Sequence, residues 1–367
     1  MSGSSFGKAF VVTSAGESHG LGYVVVVDGC PPGVPLDVEQ LRAELRRRRP
    51  GQSRLVSRRD EPDEPEILSG VVDGHTTGTP VAILVRNVDA RPRDYDELVD
   101  VYRPGHADFS YEAKYGVRDV RGGGRASGRE TLTRVAAGVL ARNLLAQACG
   151  TRIVGWVERV GDVVAELTDP TRVERDDVER TATRCPDPAA ASRMEALIER
   201  MRKQGDSIGG VAVVCAQPVP AGLGEPVFDG LDARLAHALF SIPAVVGVEK
   251  GSGFAAARMR GSEHNDPFVR DGTGTVRTAT NHHGGVLGGI STGMPIVVRL
   301  AVKPPSSIAR AQRTLRRDRT ETELRVRGRH DPCLLPRVVP VAEAMVALVL
   351  ADALLLQRRM ASSSGSG

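Results

Sequence analysis

The chain of 367 residues contains few aromatic residues and few lysines. Phenylalanine, tyrosine and tryptophan together make up 4% of the residues. Recognition of single-stranded nucleic acid by base stacking needs such aromatic platforms, so this mode of binding is disfavoured. Only five of the 49 basic residues are lysines, and the others are arginines. Because the planar fork of arginine suits phosphate and carboxylate groups, the composition favours anionic ligands.

Cysteines and long apolar runs are also scarce. The five cysteines are odd in number and show no C-x-x-C spacing, which argues against a disulfide framework or a zinc ribbon and predicts a reducing, cytoplasmic compartment. The N-terminus lacks the layout of a signal peptide. No stretch approaches the roughly 18 apolar residues of a membrane span, so we expect no membrane partner.

Segments typical of strands and of helices are interspersed, which predicts a mixed α/β (α+β) protein with one domain over 1–360 and a disordered tail over 361–367. Strands are predicted at 8–15, 22–33, 153–167, 209–220 and 294–305, a hairpin at 67–87, and helices at 37–51, 127–150, 186–206, 228–243 and 339–360. Asp37 should cap the first helix and Gly150 should end the second. The last helix is apolar nearly all round, which predicts that it is buried.

Six glycine-rich or polar islands interrupt these elements and carry six of the eight histidines. The islands are GESHG (16–20), RPGHAD (103–108), RGGGRASGRET (121–131), GSEHND (261–266), NHHGGVLGGISTG (281–293) and GRHDPC (328–333). Histidine is suited to proton transfer near neutral pH, so this distribution predicts one site assembled from distant segments. His75 and His237 lie outside the islands, and we expect them to be ordinary surface or core histidines.

The RGGGRASGRET island is predicted to bind an anion such as phosphate. Its three glycines let backbone N–H groups approach a ligand, Arg121, Arg125 and Arg129 lie alongside, and a helix begins directly afterwards. The island is neither a Walker loop nor the dinucleotide fingerprint. A flexible turn and an RNA-binding RGG segment are the alternatives.

Two other basic segments have both a structural and a functional interpretation. Arg46 to Arg49 follow one another at the end of a predicted helix, where cations are favourable for dipole reasons alone. A solvated helix end and a second anion site are therefore both open. Lys303 in VKPPSS belongs either to a plain strand-end loop or to a further anion contact.

Three other function classes compete with an anion-binding enzyme. An arginine-rich nucleic-acid-binding protein would use the RGGGR segment. A metal-dependent hydrolase would use the island histidines, although neither H-E-x-x-H nor paired cysteines occur. A serine hydrolase would use Ser18 and His19, yet no G-x-S-x-G elbow surrounds them. Neighbours on an extended segment point apart, so we do not expect His19 to contact Ser18.

The order of the islands resembles the chorismate synthase family from about residue 6 to 359, with GDSIGG (205–210) and PAGLGEPVFD (220–229) also matching. The resemblance implies a single-domain β-α-β sandwich that assembles as a homotetramer. It implies a lyase that converts 5-enolpyruvylshikimate 3-phosphate to chorismate and phosphate by 1,4-anti-elimination with reduced FMN, in the shikimate pathway. The chain is too short for the extra segments of members that reduce their own flavin. A separate flavin reductase is therefore implied, with NADPH as an indirect reductant.

Catalytic residues are implied by position in the family motifs. His19 matches the histidine that protonates the departing phosphate, and His106 the histidine that holds a proton near the reduced flavin, although which histidine has which role stays open. Asp331 matches the base that assists proton removal. Ser18 and Ser127 match supporting hydroxyl groups. No metal is implied.

Binding residues follow from the same motifs. FMN contacts are implied at Arg125, Ala126, Ser127, Pro243, Ala244, Gly288, Lys303, Pro304, Pro305, Ser306, Ser307 and Arg329. NADP or substrate contacts are implied at Arg48, Arg54 and Arg129.

Three positions depart from the family pattern. Ala126 replaces a common serine, Pro243 a common asparagine and Pro305 a common threonine. The first two changes remove side-chain hydrogen bonds to FMN, so we expect backbone contacts there.

Overall fold

The structure is a computed structural model that describes residues 3–52, 55, 62–88, 98–167, 169–326 and 330–363. Within these residues the helices are α1 (Val38–Arg48), α2 (Asp108–Tyr115), α3 (Thr131–Cys149), α4 (Arg175–Glu179), α5 (Pro188–Lys203), α6 (Leu231–Phe240), α7 (Gly261–His264) and α8 (Leu335–Ser363). The strands are β1 (Ser5–Phe6), β2 (Val11–Gly16), β3 (Gly22–Asp28), β4 (Pro65–Ser69), β5 (Val71–Val72), β6 (His75–Thr76), β7 (Val81–Arg86), β8 (Arg152–Val160), β9 (Val163–Val164), β10 (Gly210–Gln217), β11 (Val245–Lys250), β12 (Phe268–Arg270), β13 (Val276–Thr278), β14 (Val286–Leu287), β15 (Ile290–Ser291), β16 (Ile296–Val302), β17 (Gln312–Leu315) and β18 (Glu321–Leu324).

Two antiparallel sheets form the outer layers of the fold. The first has the strand order β1-β2-β3-β7-β4, and the second has the order β11-β16-β10-β8-β9. The predicted hairpin is confirmed, because β4 pairs with β7. In the first sheet, β3 and β7 alternate buried and less buried residues, so this sheet has one face toward the core. The second sheet is buried on both faces at its centre, where β10 has five consecutive buried residues.

A helical layer fills the space between the sheets. Helix α3 packs on β3 of the first sheet, α8 packs on β8 and β10 of the second, and the two helices pack on each other. Their close approach depends on Gly138, because a Cβ atom there would lie 2.4 Å from the Cβ of Ala344. The layers therefore follow the order sheet, helices, sheet, which confirms the predicted β-α-β sandwich.

The helix ends follow the sequence signals. The Asp37 carboxylate accepts hydrogen bonds from the amides of Glu39 and Gln40 and caps α1. Gly150 adopts the left-handed conformation that ends α3. Both predictions are confirmed.

Helix α8 corrects two predictions. It begins at Leu335 rather than Val339, and it contains Pro340, which cannot donate to the carbonyl oxygen of Pro336 four residues earlier. The buried Arg184 guanidinium donates to that carbonyl instead, so the proline is tolerated. The helix also extends to Ser363, three residues into the predicted tail, and 364–367 lie outside the described residues.

The same helix is long and apolar enough to cross a membrane by length and composition. The prediction that no stretch approaches such a span was wrong, because an 18-residue window within Leu335–Met360 has a mean hydropathy of 2.1. The most apolar window of this helix is entirely buried inside the protein. Its hydrophobicity therefore fits its place in the helical layer between two sheets.

Candidate active site

A cavity of about 2160 Å³ lies beside the N-terminal end of α3. Four of the six islands and the VKPPSS segment line it, through residues that include Glu17, Arg103, His106, Gly122, Gly123, Gly124, Arg125, Arg129, Lys303, Ser306, Ser307, His330 and Asp331. Small-molecule pockets usually measure roughly 300–1,000 Å³, so this cavity has room for two ligands. Segments that are more than 300 residues apart in sequence therefore share one wall.

The glycine-rich turn closes directly onto the GESHG island. Gly122, Gly123 and Gly124 all have positive φ angles, of 73°, 98° and 53°. A Cβ atom on Gly122 would lie 2.4 Å from Cε1 of His19, and one on Gly124 would lie 2.5 Å from Oε2 of Glu17. Only glycine allows this backbone both its conformation and its proximity to the two side chains.

Ser18 and His19 contact each other, contrary to the sequence prediction. The Ser18 Oγ lies 3.2 Å from Nδ1 of His19, because β2 ends at Gly16 and the two residues lie in a turn rather than in an extended strand. The Ser18 hydroxyl donates to the carbonyl oxygen of Arg121 at 3.1 Å. Since its proton is directed away from His19, Ser18 accepts from Nδ1 and orients the imidazole, an arrangement unlike that of an activated nucleophile.

Asn87 joins the histidine turn to the arginines. Its side-chain amide donates to the carbonyl oxygens of Glu17 and Gly20, both at 2.9 Å. Its Oδ1 accepts from Nε of Arg129 at 2.7 Å. The position of the GESHG turn is therefore coupled to that of Arg129.

The arginines of the glycine-rich island have different partners. Arg125 donates to the hydroxyl of Ser14 at 2.8 Å and lines the cavity. Arg129 forms an ion pair with the buried carboxylate of Asp63 at 2.8 Å. Arg121 is exposed and pairs with Asp119.

The arginine run at the end of α1 is not a solvated face as a whole. Arg46 is exposed, but Arg47 contacts Glu44, Glu179 and Glu343 in a cluster between helices. Arg48 is 1% exposed, lines the cavity and contacts Asp63 at 2.5 Å. Burial lowers the pKa of Arg48, and Asp63 opposes that effect.

His106 and the VKPPSS segment contact each other along the lining of the same cavity. The Nε2 of His106 lies 2.8 Å from the Ser307 hydroxyl, and Lys303 Nζ and the Ser306 hydroxyl both donate to the carbonyl oxygen of Gly105. Burial lowers the pKa of His106 to about 4, and Arg103 adds to the effect while Asp108 opposes it. His106 is therefore a neutral imidazole at neutral pH.

Asp331 is held by a second arginine at the bottom of the cavity. The Arg337 guanidinium donates to the Asp331 carboxylate, and its Nε donates to the carbonyl oxygen of Arg48 at 3.0 Å. Both Asp331 and Arg337 line the cavity. The predicted base and the predicted anion-binding Arg48 are thereby adjacent.

Most of the other predicted flavin-binding residues also line this cavity. They are Ala126, Ser127, Pro243, Ala244, Pro304 and Pro305. The Ala126 amide already donates to the carbonyl oxygen of Gly123, and the Ala244 carbonyl accepts from the Lys303 amide. These two backbone groups are thus engaged within the protein, although we had expected them to contact FMN. Arg54 and Arg329 lie outside the described residues.

Two islands form a separate pocket, so the prediction of one site from all six was wrong for the protomer. Gly288, His264, His282 and His283 line a second cavity of about 540 Å³ with Lys250. This grouping arises because Asp266 accepts hydrogen bonds from the amides of His282 and His283, which joins GSEHND to NHHGG. In the part of the chain that the structure describes, no group of three or more His, Cys, Asp or Glu residues could hold a metal ion.

Sequence reasoning missed several residues of the large cavity. His237, expected to be ordinary, lines the wall near Phe6. Asp63 and Asn87 were not singled out, although they flank β4 and β7, which pair with each other. The predicted hairpin would bring its two ends together, so polar residues at both ends were the available signal.

Comparisons with known proteins agree with this geometry. A family model described as chorismate synthase matches residues 10–355. Proteins named chorismate synthase from Roseiflexus castenholzii and Chloroflexus aurantiacus are 54% and 55% identical over 358 residues, which is 98% of this chain and 98% and 97% of theirs. The chain belongs to the chorismate synthase family. A crystal structure of chorismate synthase, 35% identical, matches with a TM-score of 0.76 over 96% of this chain and 93% of that one.

Membership of the chorismate synthase family makes the chain an enzyme of aromatic biosynthesis. The relatives cover nearly the whole chain, so both sheets and the helical layer belong to the shared fold. Apart from Gly3, Ser4, Ser5 and Phe6, the residues that line the large cavity lie within the matched range. It is therefore the candidate active site of this family member.

Proposed function

We propose that this enzyme converts 5-enolpyruvylshikimate 3-phosphate to chorismate and phosphate with the help of reduced FMN. In this elimination the C–O bond to phosphate and a C6–H bond break, and the ring becomes a conjugated diene. The observation that carries the proposal is the convergence of four islands into one cavity rich in arginine. The substrate bears one phosphate and two carboxylates, and FMN bears another phosphate, so both ligands need such a lining.

The residues present fit a flavin mononucleotide. The glycine-rich turn leaves open space above Gly128, next to Arg125 and the start of α3, where a phosphate is favourable. The flavin would also contact Lys303, Ser306 and Ser307, which line the same cavity. When bound, reduced FMN would supply an electron-rich ring that lends electron density as phosphate leaves. Because the flavin recovers that density by the end of the reaction, the reaction is redox-neutral overall.

His19 would protonate the departing phosphate. Its Nδ1 lies 3.2 Å from the Ser18 hydroxyl, and the Nδ1–Cε1 edge of the ring faces Gly122 of the glycine-rich turn, so Nε2 would be the atom that meets the phosphate. A proton on Nε2 can then pass to a phosphate oxygen as the C–O bond breaks. Glycines surround this histidine because two large ligands must approach it.

His106 would hold a hydrogen bond to the flavin, and Asp331 would assist removal of the proton from C6. His106 is neutral at neutral pH because burial and Arg103 lower its pKa to about 4, so its ring donates a hydrogen bond without adding a full positive charge. Arg337 orients the Asp331 carboxylate within the cavity. The acid and the base are thus separate groups from different islands.

The cellular context follows from the same proposal. A separate flavin reductase would supply reduced FMN, with NADPH as the indirect reductant, and the enzyme would work in the cytoplasm as a homotetramer. All five cysteines are unpaired, which is consistent with a reducing compartment. Pro243 and Pro305 line the cavity and would contact the flavin there, Pro243 through its backbone.

An anaerobic assay tests the proposed function. The protein is mixed with chemically reduced FMN and the enolpyruvyl substrate, and both phosphate and chorismate are measured. We expect equimolar release of the two products, no turnover when the reductant is omitted, and no effect of a chelator. Phosphate release without chorismate would identify a phosphatase instead and would contradict the proposal.

A further inference from the structure

Asp63 is a fully buried carboxylate that contacts two arginines. Its side chain is 0% exposed and lies immediately before β4. Oδ2 accepts from Nη2 of Arg48 at 2.5 Å, and Oδ1 lies 2.8 Å from Nη1 of Arg129. One negative charge therefore separates two positive charges at the cavity wall.

The hydrogen bonds of Arg48 are incomplete. Its Nε and Nη1 are buried and have no hydrogen-bond partner among the described residues, while its side chain lines the large cavity. A buried guanidinium with unpaired N–H groups is costly for the folded protein, so such groups are normally paired. An anion that enters the cavity would supply the missing acceptors.

A neighbouring ion cluster provides the contrast. Arg47 lies one residue earlier, and three carboxylates surround its guanidinium, those of Glu44, Glu179 and Glu343. Arg47 does not line the large cavity among the described residues. The Arg47 cluster has the acceptors expected of a structural ion network, whereas two N–H groups of the Arg48 guanidinium have no acceptor among the described residues.

Asp63 bridges the guanidinium groups of Arg48 and Arg129. Asn87 contacts Arg129 at Nε, 2.7 Å away, and Arg337 contacts the carbonyl oxygen of Arg48 rather than its guanidinium group. In the absence of the Asp63 charge, the two guanidinium groups would repel each other in a poorly solvated environment. This carboxylate therefore contributes to their separation and orientation.

We propose that Asp63 is a positioning residue that sets Arg48 and Arg129 as a paired clamp for one oxyanion of the substrate. This inference rests on the proposed function for the identity of the substrate. Asp63 itself is sealed behind the arginines and acts through them. Its removal should therefore affect the affinity for the anion more than the rate of bond breaking.

The test compares wild type with Asp63→Asn and Asp63→Glu. Binding of inorganic phosphate and of the enolpyruvyl substrate is measured by calorimetry, and KM and kcat by the anaerobic assay. We expect Asp63→Asn to weaken both ligands and to raise KM about tenfold, with kcat changed less than about threefold. Asp63→Glu, which keeps the charge, should recover part of the affinity.

Several results would overturn the inference. If Asp63 only balanced charge, Asp63→Asn would leave a more positive site and bind phosphate more tightly. An unchanged KM in a folded variant would also contradict the clamp. The control is Glu66→Gln, which removes the carboxylate of an exposed pair with Arg86 and should leave both affinities unchanged.

A double variant keeps the test decisive if Asp63→Asn does not fold. Asp63→Asn combined with Arg48→Met removes one charge of each sign, so the buried net charge is preserved. Compared with Arg48→Met alone, we expect the double variant to raise KM by less than about tenfold, because Asp63 then has one arginine fewer to position, whereas a rise of tenfold or more would contradict the clamp. The affinity for inorganic phosphate is measured without turnover, so it does not depend on the proposed reaction. If wild type binds phosphate and Asp63→Asn does not, the clamp stands even where the proposed reaction fails.

Discussion

At the scale of single residues, the two predicted catalytic histidines have different environments. His19 contacts Ser18 beside the glycine-rich turn and is not among the described residues that line the large cavity, whereas His106 lines the cavity, half-buried next to Arg103 and Ser307. The sequence indicated that both histidines matter, because both lie in polar islands. It could not indicate their protonation, which depends on burial and on charges brought from distant segments.

Replacement of His106 by alanine should reduce turnover by a factor of about 10²–10⁴ without unfolding the protein. The side chain lies in a polar loop and contacts Ser307 rather than the hydrophobic core. The measurements are kcat in the anaerobic assay and the far-UV circular dichroism spectrum. Near-normal phosphate release by a folded variant would remove His106 from the site.

The low pKa of His106 predicts a specific pH dependence of stability. Its folded value of about 4 lies below its ordinary value of 6.5, so the unfolded chain binds more protons between these values. The free energy of unfolding should therefore fall as the pH drops from 6.5 to 4, by up to about 3 kcal/mol from this group. His106→Asn should lack this component. Equal pH slopes in urea unfolding of the two proteins would refute the assignment.

Arg125→Ala should weaken the binding of FMN about tenfold or more, because the variant loses a cation at the glycine-rich turn. The measurement is a fluorescence titration with oxidised FMN. Arg152→Ala is the control, since Arg152 is an exposed arginine on β8 that pairs with Glu174. Equal flavin affinity in the two variants would contradict the role of the turn.

At the scale of elements, regular helices and central strands could be predicted from the sequence. Helix α3 was found from its apolar spacing and its final glycine, and β3 from its run of valines. Edge strand β11 and the hairpin of β17 and β18 were missed. β11 has a register shift near Gly247, and the hairpin strands are mostly exposed, so neither shows a clear alternation of buried and exposed residues.

The contact between α3 and α8 should tolerate no side chain at Gly138. Gly138→Ala places a Cβ atom 2.4 Å from that of Ala344, and we expect a loss of about 1–3 kcal/mol despite the better helix propensity of alanine. Ala344→Gly in the same chain should restore part of the stability. Ala146→Val, at an exposed position on α3, is the control. A Gly138→Ala variant as stable as wild type would contradict the packing described.

At the scale of the whole molecule, the sandwich determines which islands meet. Four islands converge because the end of β2 and the starts of α2, α3 and α8 all lie at one cavity. The sequence predicted that convergence but also placed GSEHND and NHHGG in the same site. Their separation follows from their own hydrogen bonds through Asp266, which depend on a loop conformation that no local pattern reveals.

The central claim is that one arginine-rich cavity holds both the flavin and the substrate. A crystal structure of the protein with FMN and 5-enolpyruvylshikimate 3-phosphate tests it most directly. We predict the flavin ring between the glycine-rich turn and the 303–307 segment, with a substrate oxyanion on Arg48 and Arg129. A flavin bound only in the pocket of His264, His282 and Gly288, with the large cavity empty, would contradict the account.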